Sequence, residues 1–410
     1  MKNTIDDKRR VVVTGLGVIS SLGIGWEEFW KNLMAGKSGI SKITAFDTSQ
    51  YDRHYGGEVK NFDAKKFISK HKLKTLGRAS QMAIAAAKLA LKDGKLKFTD
   101  RAREKMAVCV GTTTGEIGSL EKFNKYSSRN VREQFRMNTI SFFSANSISS
   151  NIAREFKIMG PNFVFGTACS SGNYAVGKAY DLIRTGKQDY VLAGGADGFS
   201  RIVFTGFCRT YAVAPEKCQP FDKNRKGIIP AEGSGMLLLE SLGSAKARKA
   251  KIYAEVLGAG YSCDAKNMTE PSPDGIAEAI RKSLVSAKVR LNEVDYISAH
   301  GTGTKENDQA EAEAINRVFG KETKNIPVSS IKSMLGHTMG AAAAFETIAC
   351  CLAIEKQEIP PTINLDKKDL DCDIDCVPNN GRKHQVRIAL NNSQAFGGNN
   401  ASTILKSINA

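Results

Sequence analysis

Three short segments rich in small residues hold the side chains best suited to covalent or acid–base chemistry. In the first, an apolar run at 162–165 turns through Gly166-Thr167-Ala168 to Cys169-Ser170-Ser171-Gly172, and residues 173–184 continue with helical spacing. A thiol at a helix N-terminus faces free backbone N–H groups and the positive end of the helix dipole, which favour the thiolate and depress its pKa. A small cysteine buried in a tight turn fits the same residues. The second segment, Ser298-Ala299-His300-Gly301-Thr302-Gly303-Thr304, is a strand that runs into glycines and hydroxyls. In the third, residues 329–340, a strand leads to Lys332, and Gly336-His337 opens an alanine-rich stretch. Two of the chain's five histidines therefore fall in glycine-flanked strand exits, where each is a candidate acid–base group or a satisfied structural residue. The spacing describes no metal site, because the two histidines lie far apart and no Cys-x-x-Cys or His-x-x-x-His pair occurs around them. A serine hydrolase lacks its Gly-x-Ser-x-Gly elbow near a plausible base. A cysteine nucleophile assisted by imidazoles survives this sorting.

These segments must be positioned by strands and helices in alternation. Residues 11–20, VVVTGLGVIS, predict a buried strand ending in a glycine turn; Ser20 stands where a dinucleotide fingerprint needs its third glycine. Further strands are expected at 106–110, 190–194, 235–240, 252–256, 294–299, 327–329 and 386–391, and helices at 26–33, 78–91, 276–287 and 308–319. This alternation implies an α/β architecture. A Lys- and Ala-rich shift at 241–251 places a boundary there, dividing the chain into 1–250 with the cysteine and 251–410 with the two histidines. The similar order of elements in the halves suggests a duplication, without a clear repeat at the level of residues. The weakly polar stretch 335–354 contains His337 and Glu346 and reads as a buried helix, not a membrane span.

With 410 residues, 41% of them hydrophobic and 25% charged, the chain can bury a large core. Residues 1–10 are charged throughout and lack the apolar run of a secretory signal, so export is not expected and the expected location is the cytoplasm. Nine cysteines without a Cys-x-x-Cys pair fit free thiols in a reducing compartment. The net charge of +17 calls for an acidic partner. No nucleic-acid motif accompanies the dispersed lysines, so nucleic acid is not the expected one.

Taken in order, the three clusters resemble the β-ketoacyl-acyl carrier protein synthases of the thiolase superfamily, in particular the synthase II branch and its polyketide relatives. The resemblance runs from Val13-Thr14-Gly15-Leu16-Gly17 through the Cys169 turn, Gly194-Gly195-Ala196-Asp197, Pro220-Phe221-Asp222, Glu232-Gly233, the His300 and Lys332–His337 segments, to Asn392-Ser393 and Phe396-Gly397-Gly398. It implies a duplicated five-layer α-β-α-β-α fold and a 3-oxoacyl-[acyl-carrier-protein] synthase, an acyltransferase that performs a decarboxylative Claisen condensation. Cys169 would carry the acyl group, and its N–H with that of Phe396 would form the oxyanion hole. His300 and His337 would hold the malonyl thioester oxygen, with Lys332 orienting them and Glu346 supporting Lys332. Thr302 and Thr304 match positions that bind the pantetheine arm. Asp308 and Glu311 match acidic positions with a structural role, and Gly397 and Gly398 match the end of the substrate loop.

The resemblance also implies substrates delivered on the phosphopantetheine of an acidic acyl carrier protein, with no permanently bound cofactor. Lys65, Lys66, Lys70, Lys72, Lys74 and Arg209 fall in or near carrier-docking regions. A homodimer is implied, and so is a heterodimer with a nucleophile-free, chain-length-factor-like subunit as an alternative. Cys169, His300 and His337 argue that this chain is not itself that subunit. The lack of a second cysteine at 392–400 argues against a coenzyme A-dependent thiolase. Four departures bear on substrate. Gln394-Ala395 precedes Phe396 where the family has Phe-Gly, Thr114 replaces a bulky aliphatic residue expected to face the acyl pocket, Lys305-Glu306-Asn307 replaces a proline turn, and Ala343 replaces a glycine.

Overall fold

The computed structural model describes residues 9–127 and 144–409; the charged segment 1–8 lies outside them. Ten strands form the frame. In the first half these are β1 (Val11–Ser20), β2 (Met106–Gly111), β3 (Asn162–Phe165), β4 (Tyr190–Asp197) and β5 (Gly233–Ser241). In the second they are β6 (Ala254–Cys263), β7 (Tyr296–Ser298), β8 (Val328–Ser329), β9 (Ile388–Ser393) and β10 (Asn399–Lys406). The first set is ordered β3-β2-β4-β5-β1 and the second β8-β7-β9-β10-β6, so each half has the same order when its strands are counted along the chain. The directions match as well. The first three neighbours in each set are parallel, and the last two pairings are antiparallel. Val11–Val13 pairs antiparallel with Ala254–Val256 and joins the two sets.

Helices fill three layers around these sheets. Helix α1 (Arg78–Asp93) covers the outer face of the first sheet, and its alanines lie directly on β1. The glycines of the opening motif permit this approach, since a Cβ on Gly15 or Gly17 would fall 2.1 or 1.9 Å from the Ala90 or Ala86 carbonyl oxygen. The motif that imitates a nucleotide loop is thus a strand surface shaved for a helix. On the far side, α4 (Pro273–Ala287) and α5 (Lys305–Phe319) cover the second sheet. Between the sheets run α2 (Ser171–Arg184) and α6 (Ala342–Lys356), each touching strands of both halves. A helix packed on all sides has no use for a polar face, and α6 is buried from Ala342 to Ile354. This is the five-layer α-β-α-β-α arrangement, and the weakly polar stretch ends in its centre as expected. Among the described residues no helix is long and apolar enough to cross a membrane.

Most strand and helix readings find their elements within a few residues. The Lys- and Ala-rich stretch after β5 forms a short helix at Leu242–Ala247, with Leu242 and Ala245 facing inward. Strand β10 and the helix α3 (Arg201–Arg209) are not among the elements expected from the sequence.

Candidate active site

The parallel strands β3, β7 and β8 point their carboxyl ends at one crevice, where side chains from three loops can meet. After β3 the chain enters a three-residue 3-10 turn, Ala168–Ser170, and continues as α2. After β8 it passes Lys332 and His337, enters another such turn at Met339–Ala341, and continues as α6. The first residue of each turn lies in the left-handed region, Ala168 at φ 48° and Met339 at φ 53°. An L-residue tolerates this at a cost of order 1–2 kcal/mol. The same strained bend therefore occurs once in each half. In one it presents the Cys169 thiol, and in the other it follows the His337 imidazole. This is a local repeat that the residue types conceal.

The bends bring His337 Nε2 to 3.1 Å from Cys169 Sγ. His300 approaches edge-on, its ring centre 5.4 Å from that of His337 and the two planes 86° apart. The tautomers follow from what holds each ring. The Met339 N–H donates to His337 Nδ1 at 3.2 Å, and the Lys332 ammonium donates to His300 Nδ1 at 3.2 Å. Each Nδ1 is an acceptor, so each neutral ring carries its proton on Nε2 and aims an N–H into the crevice. Lys332 is fully buried, and its remaining donors go to the His300 carbonyl at 2.6 Å and to the Glu346 carboxylate. Burial, followed by the nearby Lys332 charge, holds both imidazoles well below the ordinary histidine pKa. Burial also raises the Glu346 carboxyl to about 7, against the opposing pull of Lys332.

The expected depression of the Cys169 pKa does not occur. Burial pushes the thiol up to about 12, and the Lys332 charge and the local backbone N–H offset only part of that. Desolvation of a charged group buried among apolar residues outweighs a helix-end dipole. The ligand atoms of Cys169, His300 and His337 lie within 4.8 Å of one another, a convergence that spacing along the chain hides. Both imidazoles turn N–H bonds toward that point and a buried ammonium stands behind them, so the pocket suits a developing oxyanion better than a cation.

Acidic residues shape the loops without entering the crevice. Glu311 accepts the backbone N–H groups of His300 at 2.8 Å and Gly301 at 2.7 Å, while Asp308 accepts those of Thr302 at 3.0 Å and Phe221 at 2.8 Å. A residue that sequence reasoning left without a role, Asp197, ties the two halves of the site together. It accepts from Thr112 Oγ1 at 2.7 Å, from the Thr113 N–H at 2.8 Å and, across to the His337 loop, from the Gly340 N–H at 2.7 Å. An aspartate closing the apolar run of β4 was the signal available.

A cavity of about 670 Å³ opens from Cys169, His300 and His337 to the surface. Thr302, Thr304 and Phe396 line it, and so do Gln394, Met268 and Tyr211. Phe396 packs on Phe207 with ring centres 5.9 Å apart, and among the described residues no backbone carbonyl accepts the Phe396 N–H. Gly397 and Gly398 carry the loop onward with φ of 84° and 74°. Thr114 lies outside this lining, its hydroxyl donating to Asp197 Oδ1 at 3.2 Å. Of the candidate docking residues, Lys65, Lys66, Lys70, Lys74 and Arg209 are exposed, whereas Lys72 pairs with Glu155 at 2.7 Å. Arg209 adjoins Thr210 and Tyr211 on the cavity rim, where the exposed Lys226 and Lys305 also stand; neither of these lysines had been singled out as a docking residue.

Comparison with known proteins agrees with this geometry. Residues 8–245 match the family model for the β-ketoacyl synthase N-terminal domain, and residues 253–366 match that for the C-terminal domain. A 3-oxoacyl-[acyl-carrier-protein] synthase 2 of Synechocystis sp. is 38% identical over 98% of both chains. Among solved structures, the ishigamide ketosynthase/chain length factor is 46% identical, with a TM-score of 0.94 over 98% of this chain and 99% of that one. A type II PKS ketosynthase, solved in complex with its acyl-carrier protein, is 33% identical with a TM-score of 0.89 over 98% of this chain and all of that one. With a nucleophile bend, two N–H-bearing imidazoles and full-length likeness in agreement, the chain belongs to the β-ketoacyl synthase family of acyltransferase-type condensing enzymes.

Proposed function

We propose that this protein extends acyl chains held as thioesters on an acidic acyl carrier protein, using malonyl thioester as the carbon donor. The observation that carries the reading is the meeting of Cys169 Sγ with two neutral imidazoles whose Nε2–H groups face the same point. The Cys169 sulfur attacks the incoming thioester, and the departing pantetheine thiol takes the proton. Its oxyanion is held by the N–H groups of Cys169 and Phe396. In the second step the bond between the malonyl carboxyl and its neighbouring carbon breaks and carbon dioxide leaves. The electron pair becomes an enolate, whose oxygen accepts from His300 and His337. That enolate attacks the acyl carbonyl, a carbon–carbon bond forms, and the Cys169 sulfur departs as a thiolate, which takes a proton from solvent to restore the thiol. Lys332, backed by Glu346, holds His300 in its N–H-forward tautomer, and the Met339 N–H holds His337 in the same form.

Residues 1–250 supply the nucleophile and 251–410 the histidines. Thr302 and Thr304 line the path of the pantetheine arm, Gly397 and Gly398 carry the Phe396 loop, and Thr114, bonded to Asp197, faces the acyl chain. Lys65, Lys66, Lys70, Lys74 and Arg209 offer the carrier a basic surface. The enzyme needs no resident cofactor and works in the cytoplasm as a dimer. A second reading makes it the nucleophile-bearing subunit of a heterodimer with a chain-length-factor-like partner. The 46% identity to the ishigamide ketosynthase/chain length factor favours this reading.

Incubation with an acyl-carrier thioester is expected to add the acyl mass to Cys169, and Cys169→Ala is expected to abolish it, as read by intact-protein mass spectrometry. Labelling that persists in the variant would mean that another group is the nucleophile.

A further inference from the structure

Gln394 stands in the cavity wall and has no part in the chemistry above. Its side chain is 3% exposed, and its Nε2–H donates to Glu311 Oε1 at 3.1 Å. The same carboxylate oxygen accepts the His300 N–H and Asn392 Nδ2, each at 2.8 Å. A carboxylate only accepts, so it fixes which way the amide lies, with nitrogen toward Glu311 and the carbonyl oxygen turned elsewhere. That oxygen, Oε1, is buried without a hydrogen-bond partner among the described residues. A bare acceptor in a dry wall is unfavourable, whereas an apolar side chain of equal volume would avoid the penalty. No neighbouring polar group among the described residues meets the need: the Thr302 and Thr304 hydroxyls bond each other at 3.0 Å and neither donates to Oε1, and the imidazoles offer their N–H donors to the substrate.

The cavity wall therefore holds donors for a thioester carbonyl and, in Gln394, a buried side-chain acceptor without a donor. A pantetheine thioester brings its nearest donor as an amide N–H two carbons from the sulfur. We infer that Gln394 is a substrate-positioning residue whose Oε1 accepts this amide N–H. Through Glu311 it sets the thioester in register with His300. The inference rests on the condensing function proposed above.

Two malonyl thioesters separate the possibilities, one of N-acetylcysteamine and one of 2-acetoxyethanethiol, which differ only in an amide N–H replaced by an ester oxygen. Carbon dioxide release gives kcat/KM for each. The wild-type protein is expected to favour the amide by about tenfold or more, because a site built around a buried hydrogen-bonding group rejects the analogue that lacks the partner. Gln394→Met keeps the volume and removes the carboxamide, and is expected to bring the ratio within about twofold. Gln394→Asn withdraws the amide from Glu311 and is expected to do the same, so it carries the test if the Met variant fails to fold by thermal unfolding. Full wild-type preference in a folded variant, or no preference in the wild type, overturns the inference. Wild-type protein that decarboxylates neither thioester overturns the condensing function itself, and the inference with it.

Discussion

Cys169 and its two imidazoles are governed by burial more than by their neighbours' charges. The thiol is pushed up to about 12, while His300 and His337 are held well below the ordinary histidine value. At neutral pH the resting site thus holds a protonated thiol and two neutral rings, which is the state needed to donate two N–H bonds to an enolate. Because protonation of the rings is suppressed, the neutral form persists as the pH falls through about 6.5, where a free histidine would charge. Decarboxylation of malonyl thioester is expected to keep its plateau from pH 7 to pH 6. A fall with a midpoint between about 6 and 7 would mean that a titrating group controls the step, either an ordinary, solvated histidine or Glu346, whose carboxyl is raised to about 7 beside Lys332. The residue types and their order were legible in the sequence. Their ionisation was not, since desolvation depends on everything packed around them.

At the scale of elements, the site is made by one bend used twice, a left-handed residue and a 3-10 turn leading into a central helix. The two central helices must approach closely for the Cys169 and His337 bends to meet. Gly172 marks that approach, for a Cβ there would lie 2.8 Å from the Ala344 nitrogen and 3.1 Å from the Ala343 Cβ. The backbone cannot yield as a flexible side chain would. Gly172→Ala is therefore expected to destabilise the fold by about 1–3 kcal/mol. It should also slow acyl loading of Cys169; urea unfolding with a loading assay checks both. Unchanged stability would show that the helices can separate without cost. The sequence announces Gly172 as a turn residue after the cysteine, whereas its partner, Ala343, lies in the other half of the chain and is recognised as its neighbour only once the helices are placed.

The whole molecule carries a net charge of +17, and its cavity opens on a rim with Lys226 and Lys305 exposed and Arg209 beside it. Exposed charges separated by several ångströms act mainly on encounter, and salt screens them over about 10 Å at 0.1 M. Raising salt from about 50 to 300 mM is expected to lower kcat/KM for a carrier-borne thioester by about tenfold, leaving a small neutral-armed thioester nearly unaffected. Equal salt sensitivity for both would place the effect inside the site and remove the basic surface as the docking element.

Sequence by itself determined the α/β class, most of the strands and helices, the three loops that carry Cys169, His300, Lys332 and His337, and the basic character of the surface. These follow from local periodicity, turn chemistry and residue type, all of which act over a few neighbours. Tertiary structure alone decided the 3.1 Å approach of His337 to Cys169, the tautomers set by Met339 and Lys332, Asp197 as the tie between halves, and the orphan oxygen of Gln394. Each of these depends on contacts between segments distant in the chain, and on how much water their packing excludes.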